Sequence, residues 1–160
     1  MLAITLYSVV LSVHIMAVVV AFGVLFAYPA FMPWARRNHP QAMPVVHELS
    51  GRLGRFVTSP AMVIVLLAGI YLASDADVWS EVWVSVPLVI LLLIGGLGGM
   101  FFAPNERRLA ELARRDLADG DHRTLSAEYD ELFRRVAAAG YVTMALVLVA
   151  IFFMAAKPGA

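Results

Sequence analysis

The stretch Leu2–Ala27 carries no formally charged side chain and a single histidine, His14, near its middle. As a helix it is about 39 Å long, which is enough to cross a hydrocarbon core of about 30 Å with some tilt. The absence of a basic segment before this long apolar run argues against a cleaved signal peptide. The stretch therefore predicts a retained transmembrane helix with one imidazole close to the middle of the membrane.

Three further apolar runs follow, at residues 56–73, 82–103 and 136–156. The chain is 61% hydrophobic and its mean hydropathy is +0.80, whereas soluble domains are about 45–50% apolar. These features predict an all-α polytopic membrane protein, folded as a single domain over residues 1–160. The four spans are expected at about 2–27, 56–73, 82–103 and 136–156.

The polar segments between the runs predict how the helices begin and end. Pro29 and Pro33 are expected to end the first helix. The second helix begins near Pro44 and is either kinked at Pro60, which we favour, or begins anew at Ser59 and Pro60. Between residues 105 and 135, apolar residues recur every three or four positions among charges. This spacing predicts that helices 3 and 4 extend beyond the membrane as an antiparallel helical hairpin, with its turn at 119–121.

Basic residues are unevenly distributed between the loops. The 28–55 segment contains four arginines and the 104–135 segment seven, while the 74–81 segment has no basic residue and the C-terminus only Lys157. Because loops rich in Lys and Arg remain in the cytoplasm, we expect both basic loops inside the cell and both termini outside, in a plasma (inner) membrane. The 12 basic and 12 acidic residues cancel, so net charge gives no indication of a nucleic-acid partner.

His14 and the glycines of the third span suggest a haem or porphyrin site. An imidazole within the membrane is costly unless it faces the bundle interior and finds a partner. A haem in a bundle needs an inward histidine and room for the macrocycle. His14 is therefore a candidate haem ligand, with a structural hydrogen-bonded imidazole as the alternative. Gly95, Gly96 and Gly99 serve either close helix packing or space for a flat ligand.

A second histidine ligand is not expected, since His39, His47 and His122 lie in polar segments. Met144 and Met62 lie nearer in depth to His14 and are candidates for a sixth ligand. Ordinary packing also accounts for methionines in so apolar a chain. Haem b or a porphyrin is the cofactor that these residues suggest, and no other metal is expected.

A second candidate site lies at the polar start of the second helix. His47, Arg52 and Arg55 fall roughly on one side of a helix, which predicts contact either with headgroups or with an anion such as a propionate or phosphate. The chain has no cysteine, and it has no Walker loop and no HExxH motif. A nucleotide enzyme or a hydrolase therefore has little support.

The run Leu6–Gly23, with its histidine and small-residue pattern, resembles the opening helix of the HemJ-type protoporphyrinogen oxidases. The stretch Arg52–Met62 is similar to that family's second helix. The resemblance implies a four-helix membrane protein that handles porphyrin or haem, with His14 as the matching histidine. The family's third-helix lysine is not found in Val82–Ala103, so the resemblance bears on fold more than on catalysis. The chain also resembles predicted bacterial integral membrane proteins of unknown function.

Three functional hypotheses follow, and whether the chain is an enzyme stays open. The first is a small accessory or assembly subunit of a larger membrane complex, or a homo-oligomer, packed through the glycine face and the hairpin. The second is a haem- or porphyrin-binding membrane protein that uses His14. The third is a protoporphyrinogen oxidase. In each case the lipid bilayer is the immediate surrounding.

Overall fold

A computed structural model of the chain describes residues 5–118 and 124–159. The helices are α1 (Leu6–Asn38), α2 (Met43–Leu53), α3 (Ser59–Asp75), α4 (Val82–Leu97), α5 (Ala103–Ala118) and α6 (Ala127–Ala156). A 3₁₀ turn, Pro40–Ala42, precedes α2. The π-helical turns Gly54–Thr58 and Gly98–Phe102 join α2 to α3 and α4 to α5. The predicted turn at Asp119–Asp121 lies outside the described residues.

Over these residues, four continuous helical stretches are long and apolar enough to cross a membrane. They are Leu6–Asn38, Pro40–Asp75, Val82–Ala118 and Ala127–Ala156, with 33, 36, 37 and 30 residues. A span needs about 20 residues, so each stretch has several residues to spare. This confirms the predicted all-α fold of four spans, with helices 3 and 4 extended beyond their apolar runs.

The helix α1 continues through Pro29 and Pro33, so the prediction that these prolines end it was wrong. Each proline removes one backbone hydrogen bond and costs about 3 kcal/mol or more in a helix interior. Met32 and Ala35, beside the second proline, are each only 3% exposed and belong to a buried core. Tertiary packing therefore holds the helix where local preference would end it.

The second stretch is one helix, interrupted by a π-helical turn rather than by a new start. The amide of Ser59 donates to the carbonyl of Gly54, five residues back. Its hydroxyl donates to the same carbonyl at 2.9 Å, so Ser59 does not cap a new helix. Pro60 follows in the first turn of α3, where its missing N–H falls beside the widened turn. The wider turn accommodates the proline without breaking the helix.

The helices pack in pairs. Along the membrane-spanning part, α3 lies against α1 and α4 against α6, whereas α3 and α4 touch each other at few positions. Beyond the apolar runs, α2 packs along α5. We call this part of the bundle the hairpin end; it comprises α2, α5, residues 28–38 of α1 and residues 127–136 of α6. Its core is a separate buried cluster that includes Met43, Leu109 and Tyr129.

Candidate functional site

A buried hydrogen-bond network joins four helices at the hairpin end. Nδ1 of His47 lies 2.7 Å from Oε2 of Glu106, and Nε2 of His47 lies 2.7 Å from the hydroxyl of Tyr129. The hydroxyl of Tyr28 donates to Oε1 of Glu106 at 2.8 Å. His47 is 1% exposed, Glu106 6% and Tyr129 0%. Each of α1, α2, α5 and α6 thus contributes one side chain.

Helical periodicity brings these side chains inward. On α5, Glu106 shares its face with Leu109 and Ala113, three and seven residues further on, and all three are buried. On α2, Met43 and His47 are four residues apart and both buried. Because α2 packs along α5, the imidazole and the carboxylate meet between the two helices.

Hydrogen-bond accounting indicates where the protons lie. With Glu106 ionised, its carboxylate only accepts, and the Nδ1–H of His47 then donates to it at 2.7 Å. Nε2 then accepts from the hydroxyl of Tyr129. A neutral imidazole and an ionised Glu106 thus satisfy all the polar atoms of this network that the structure describes, whereas a doubly protonated imidazole would leave the Tyr129 proton without an acceptor.

Burial raises the pKa of Tyr129 above its ordinary value, which keeps the proton on its hydroxyl. A carboxylate, an imidazole and a hydroxyl in this order also occur in base-activated nucleophiles. Here the phenol has no exposed surface, so it does not meet a substrate in this arrangement. The network instead joins the four helices, and its hydrogen-bond donors stabilise the charge of Glu106.

A groove of about 1540 Å³ opens beside the network and is lined by residues of all six helices, with α3 and α4 contributing part of its wall. Tyr28, His47 and Glu106 form part of its wall at the hairpin end. Further along, the wall is apolar and includes Leu66 of α3 and Leu91 of α4. The groove therefore combines an apolar part with a polar end.

One wall of the groove consists of glycines from α4 and the π-helical turn after it: Gly95, Gly96, Gly98 and Gly99. A Cβ added at any of the last three would meet nothing within 4 Å, and one at Gly95 would lie 3.6 Å from the terminal methyl of Met62. Glycine in a helix costs about 1 kcal/mol relative to alanine. No neighbouring atom of the described chain lies close enough to require glycine at the last three positions. The space beside them is therefore open.

Three arginines stand at the polar end of the groove: Arg52 of α2, Arg55 of the first π-helical turn and Arg107 of α5. All three are exposed. Among the described residues, none of the three makes a salt bridge. The guanidinium of Arg55 lies over the ring of Phe56 at 5.6 Å, which leaves its edge free to donate.

Comparison with known proteins places the chain in a family. The family described as "Predicted integral membrane protein (DUF2269)" matches residues 8–158. The chain belongs to the DUF2269 family. No curated protein and no solved structure matches it. The resemblance to HemJ-type oxidases therefore remains a prediction.

In this DUF2269 protein, His14 faces α3. A Cβ added at Gly69 would lie 3.3 Å from its Cε1, and within the described chain its Nδ1 is buried without a hydrogen-bond partner. On α1 the groove lining starts at Ala21, about 10 Å along the helix from His14. The structure therefore does not bring His14 to the wall that holds Gly95, Gly96 and Gly99.

The other predicted site residues are divided between the groove and its surroundings. Met62 lines the groove, while Met144 is half-buried and lies outside the lining. Arg52 and Arg55 line the groove as exposed side chains, but His47 contributes to it from the buried network. In the part of the chain that is described, no group of three or more His, Cys, Asp or Glu side chains could hold a metal ion.

Sequence reasoning missed four residues of this site, namely Tyr28, Glu106, Arg107 and Tyr129. One signal was available, because Glu106 lies in register with the apolar stripe that continues through Leu109. A carboxylate on the apolar face of a helix needs a buried partner. The identity of that partner depended on how α2 packs against α5.

Proposed function

We propose that this protein binds an amphipathic membrane molecule in the groove beside the buried network. The observation that carries the proposal is the open glycine wall of a groove of about 1540 Å³. A ligand chain lying against Gly96, Gly98 and Gly99 would use space that the chain itself leaves empty. The volume exceeds the roughly 300–1,000 Å³ of common small-molecule pockets, in keeping with a long ligand.

The two ends of the groove suit the two parts of such a ligand. Leucines and methionine from α3 and α4 offer dispersion contacts to an acyl or isoprenoid chain. Arginines and hydroxyl groups at the hairpin end offer hydrogen bonds to a polar head. The opening between α3 and α4 gives a lipid-soluble molecule lateral access from the bilayer.

Mass spectrometry of the intact protein in mild detergent tests this proposal. We expect the purified protein to retain a discrete amphiphile, and Gly96→Leu to reduce its occupancy by filling the wall. Gly23→Leu is the matched control, since Gly23 also has open space around it but lies outside the groove lining. An occupancy that is the same in all three proteins would overturn the proposal. A partner protein retained in fixed ratio and lost in Gly96→Leu would favour the accessory-subunit hypothesis instead.

Haem binding at His14 is the second candidate function, because Nδ1 of His14 is buried without a partner among the described residues. An iron or a hydrogen-bond donor would relieve that unpaired nitrogen. An absorption spectrum of the purified protein provides the test. A Soret band that disappears in His14→Ala would support this function, and a colourless protein would exclude it.

We also propose that the hairpin end lies in the cytoplasm and both termini outside an inner membrane. Support comes from the arginines concentrated in residues 28–55 and 104–135. Lys157 near the C-terminus lies 4.8 Å from the ring centroid of Trp83, which puts it at the end of the bundle opposite the hairpin. Because the chain lacks cysteine, Ser80→Cys and Glu111→Cys can be labelled separately in intact cells. Labelling of Glu111→Cys alone by an impermeant reagent would show that the orientation is the opposite of the one proposed.

A further inference from the structure

The polar end of the groove carries positive charge that the described residues do not neutralise. Arg52, Arg55 and Arg107 line it and are exposed, and none of them pairs with a carboxylate in residues 5–118 or 124–159. They come from α2, the π-helical turn and α5, and all three line the same groove.

The carboxylates in the same lining are engaged elsewhere. Glu48 pairs with Arg114, and Glu106 accepts from Tyr28 and His47. The oxygens of Glu106 are therefore occupied by donors of the buried network and form no ion pair with Arg52, Arg55 or Arg107 among the described residues. The guanidinium groups remain available for an anion that enters the groove.

We infer that the headgroup of the groove ligand is a phosphomonoester, bound by Arg52, Arg55 and Arg107. This inference rests on the proposed function, and it specifies the chemical class of the ligand as a lipid phosphate. A phosphomonoester carries about −1.5 to −2 charges at pH 7 and has three acceptor oxygens. Arginine donates to such oxygens through two parallel bonds. A carboxylate and an anionic phosphodiester each carry one charge and two free oxygens, and a zwitterionic phosphodiester carries no net charge, so all three match three guanidiniums less well.

The inference is tested by adding lipids to the delipidated protein in non-ionic detergent and recording native mass spectra. The probes are phosphatidic acid, phosphatidylglycerol and phosphatidylcholine with the same acyl chains, oleate and inorganic phosphate. We expect phosphatidic acid to be retained about tenfold more than phosphatidylcholine, as one or two charge-assisted contacts predict, and also more than phosphatidylglycerol and oleate. The triple variant R52Q/R55Q/R107Q should lose this preference.

A control variant with the same change in net charge separates binding at this site from general electrostatic attraction between the protein and anionic lipids. The variant R37Q/R134Q/R135Q removes the same number of charges from arginines outside the groove lining, and it should keep the preference for phosphatidic acid. Equal losses in both triple variants would overturn the inference, as would equal retention of phosphatidic acid and either phosphatidylglycerol or phosphatidylcholine. Should the triple variant not fold by circular dichroism, R107Q alone is expected to lower the preference several-fold.

The remaining outcomes distinguish this inference from the proposed function. If Gly96→Leu lowers the retention of every lipid while the arginine variants change nothing, the groove binds lipid and the headgroup assignment fails. If Gly96→Leu leaves the retention of every lipid unchanged while the arginine variants still lower the preference for phosphatidic acid, the groove itself is not the site. Millimolar inorganic phosphate that binds to a protein unable to retain any lipid would identify a site for free phosphate and overturn the lipid assignment.

Discussion

His47 and Glu106 are 59 residues apart in the sequence, yet Nδ1 of the imidazole lies 2.7 Å from Oε2 of the carboxylate. The contact fixes α2 against α5, and the hydroxyls of Tyr28 and Tyr129 extend it to α1 and α6. A buried carboxylate is tolerated only with such donors. The polar end of the groove therefore lies beside side chains that join four helices.

Removing Glu106 should destabilise the hairpin end. In Glu106→Ala, both Nδ1 of His47 and the hydroxyl of Tyr28 lose their acceptor, which should cost about 3 kcal/mol. Thermal unfolding followed by circular dichroism measures the change. Glu111→Ala is the control, since the Glu111 side chain is 63% exposed, and should cost less than about 0.5 kcal/mol. Equal effects of the two substitutions would show that the network does not hold the helices together.

The contact between His14 and Gly69 can be tested by a double-mutant cycle. Gly→Ala in a helix gains about 1 kcal/mol, and Gly23→Ala should show that gain because its added Cβ would meet nothing within 4 Å. Gly69→Ala should not, since its Cβ would lie 3.3 Å from Cε1 of His14. In a His14→Ala background the gain at Gly69 should return. A gain at Gly69 that is the same in both backgrounds would mean that the two residues are not in contact.

The exposed ion pairs of the hairpin end predict a pH dependence. Hydrogen bonds from Arg115 and then Arg108 lower the pKa of Glu128 below its ordinary value of 4.5. Since the folded pKa is the lower one, the stabilisation is complete above pH 4.5 and disappears as the pH falls through the folded value. The melting-temperature difference between the protein and Glu128→Gln should therefore vanish at acid pH and shrink in high salt. A difference independent of pH would contradict these pairings.

The parts of the fold that depend on local pattern could be predicted from the sequence. The four spans follow from summed hydropathy, and the extension of the third and fourth helices follows from the spacing of residues such as Leu109 and Leu112. The continuation of α1 through Pro29 and Pro33 could not, because the opposing energy comes from residues packed at the hairpin end. Local preference was overridden by tertiary contacts.

The candidate site required information that a single sequence lacks. His47 looked like an interfacial residue because α2 precedes an apolar run, and its burial depends on α5, more than fifty residues later. The sequence identifies Gly95, Gly96 and Gly99, and the arginines Arg52 and Arg55, as candidates. These residues line one groove because α3 packs against α1 more than against α4. Hydropathy does not determine which helices pack together.

Photocrosslinking from two adjacent positions tests the central claim, that the groove holds a specific ligand, most directly. A benzophenone amino acid replaces either Leu66, which lines the groove, or Leu67, which is 61% exposed and lies outside the lining. After irradiation in cells and purification, the protein with the probe at Leu66 should carry one adduct of discrete mass, and Gly96→Leu should remove it. The probe at Leu67 should give a mixture of bulk lipids that Gly96→Leu leaves unchanged. The same mixture at both positions, insensitive to Gly96→Leu, would contradict the account.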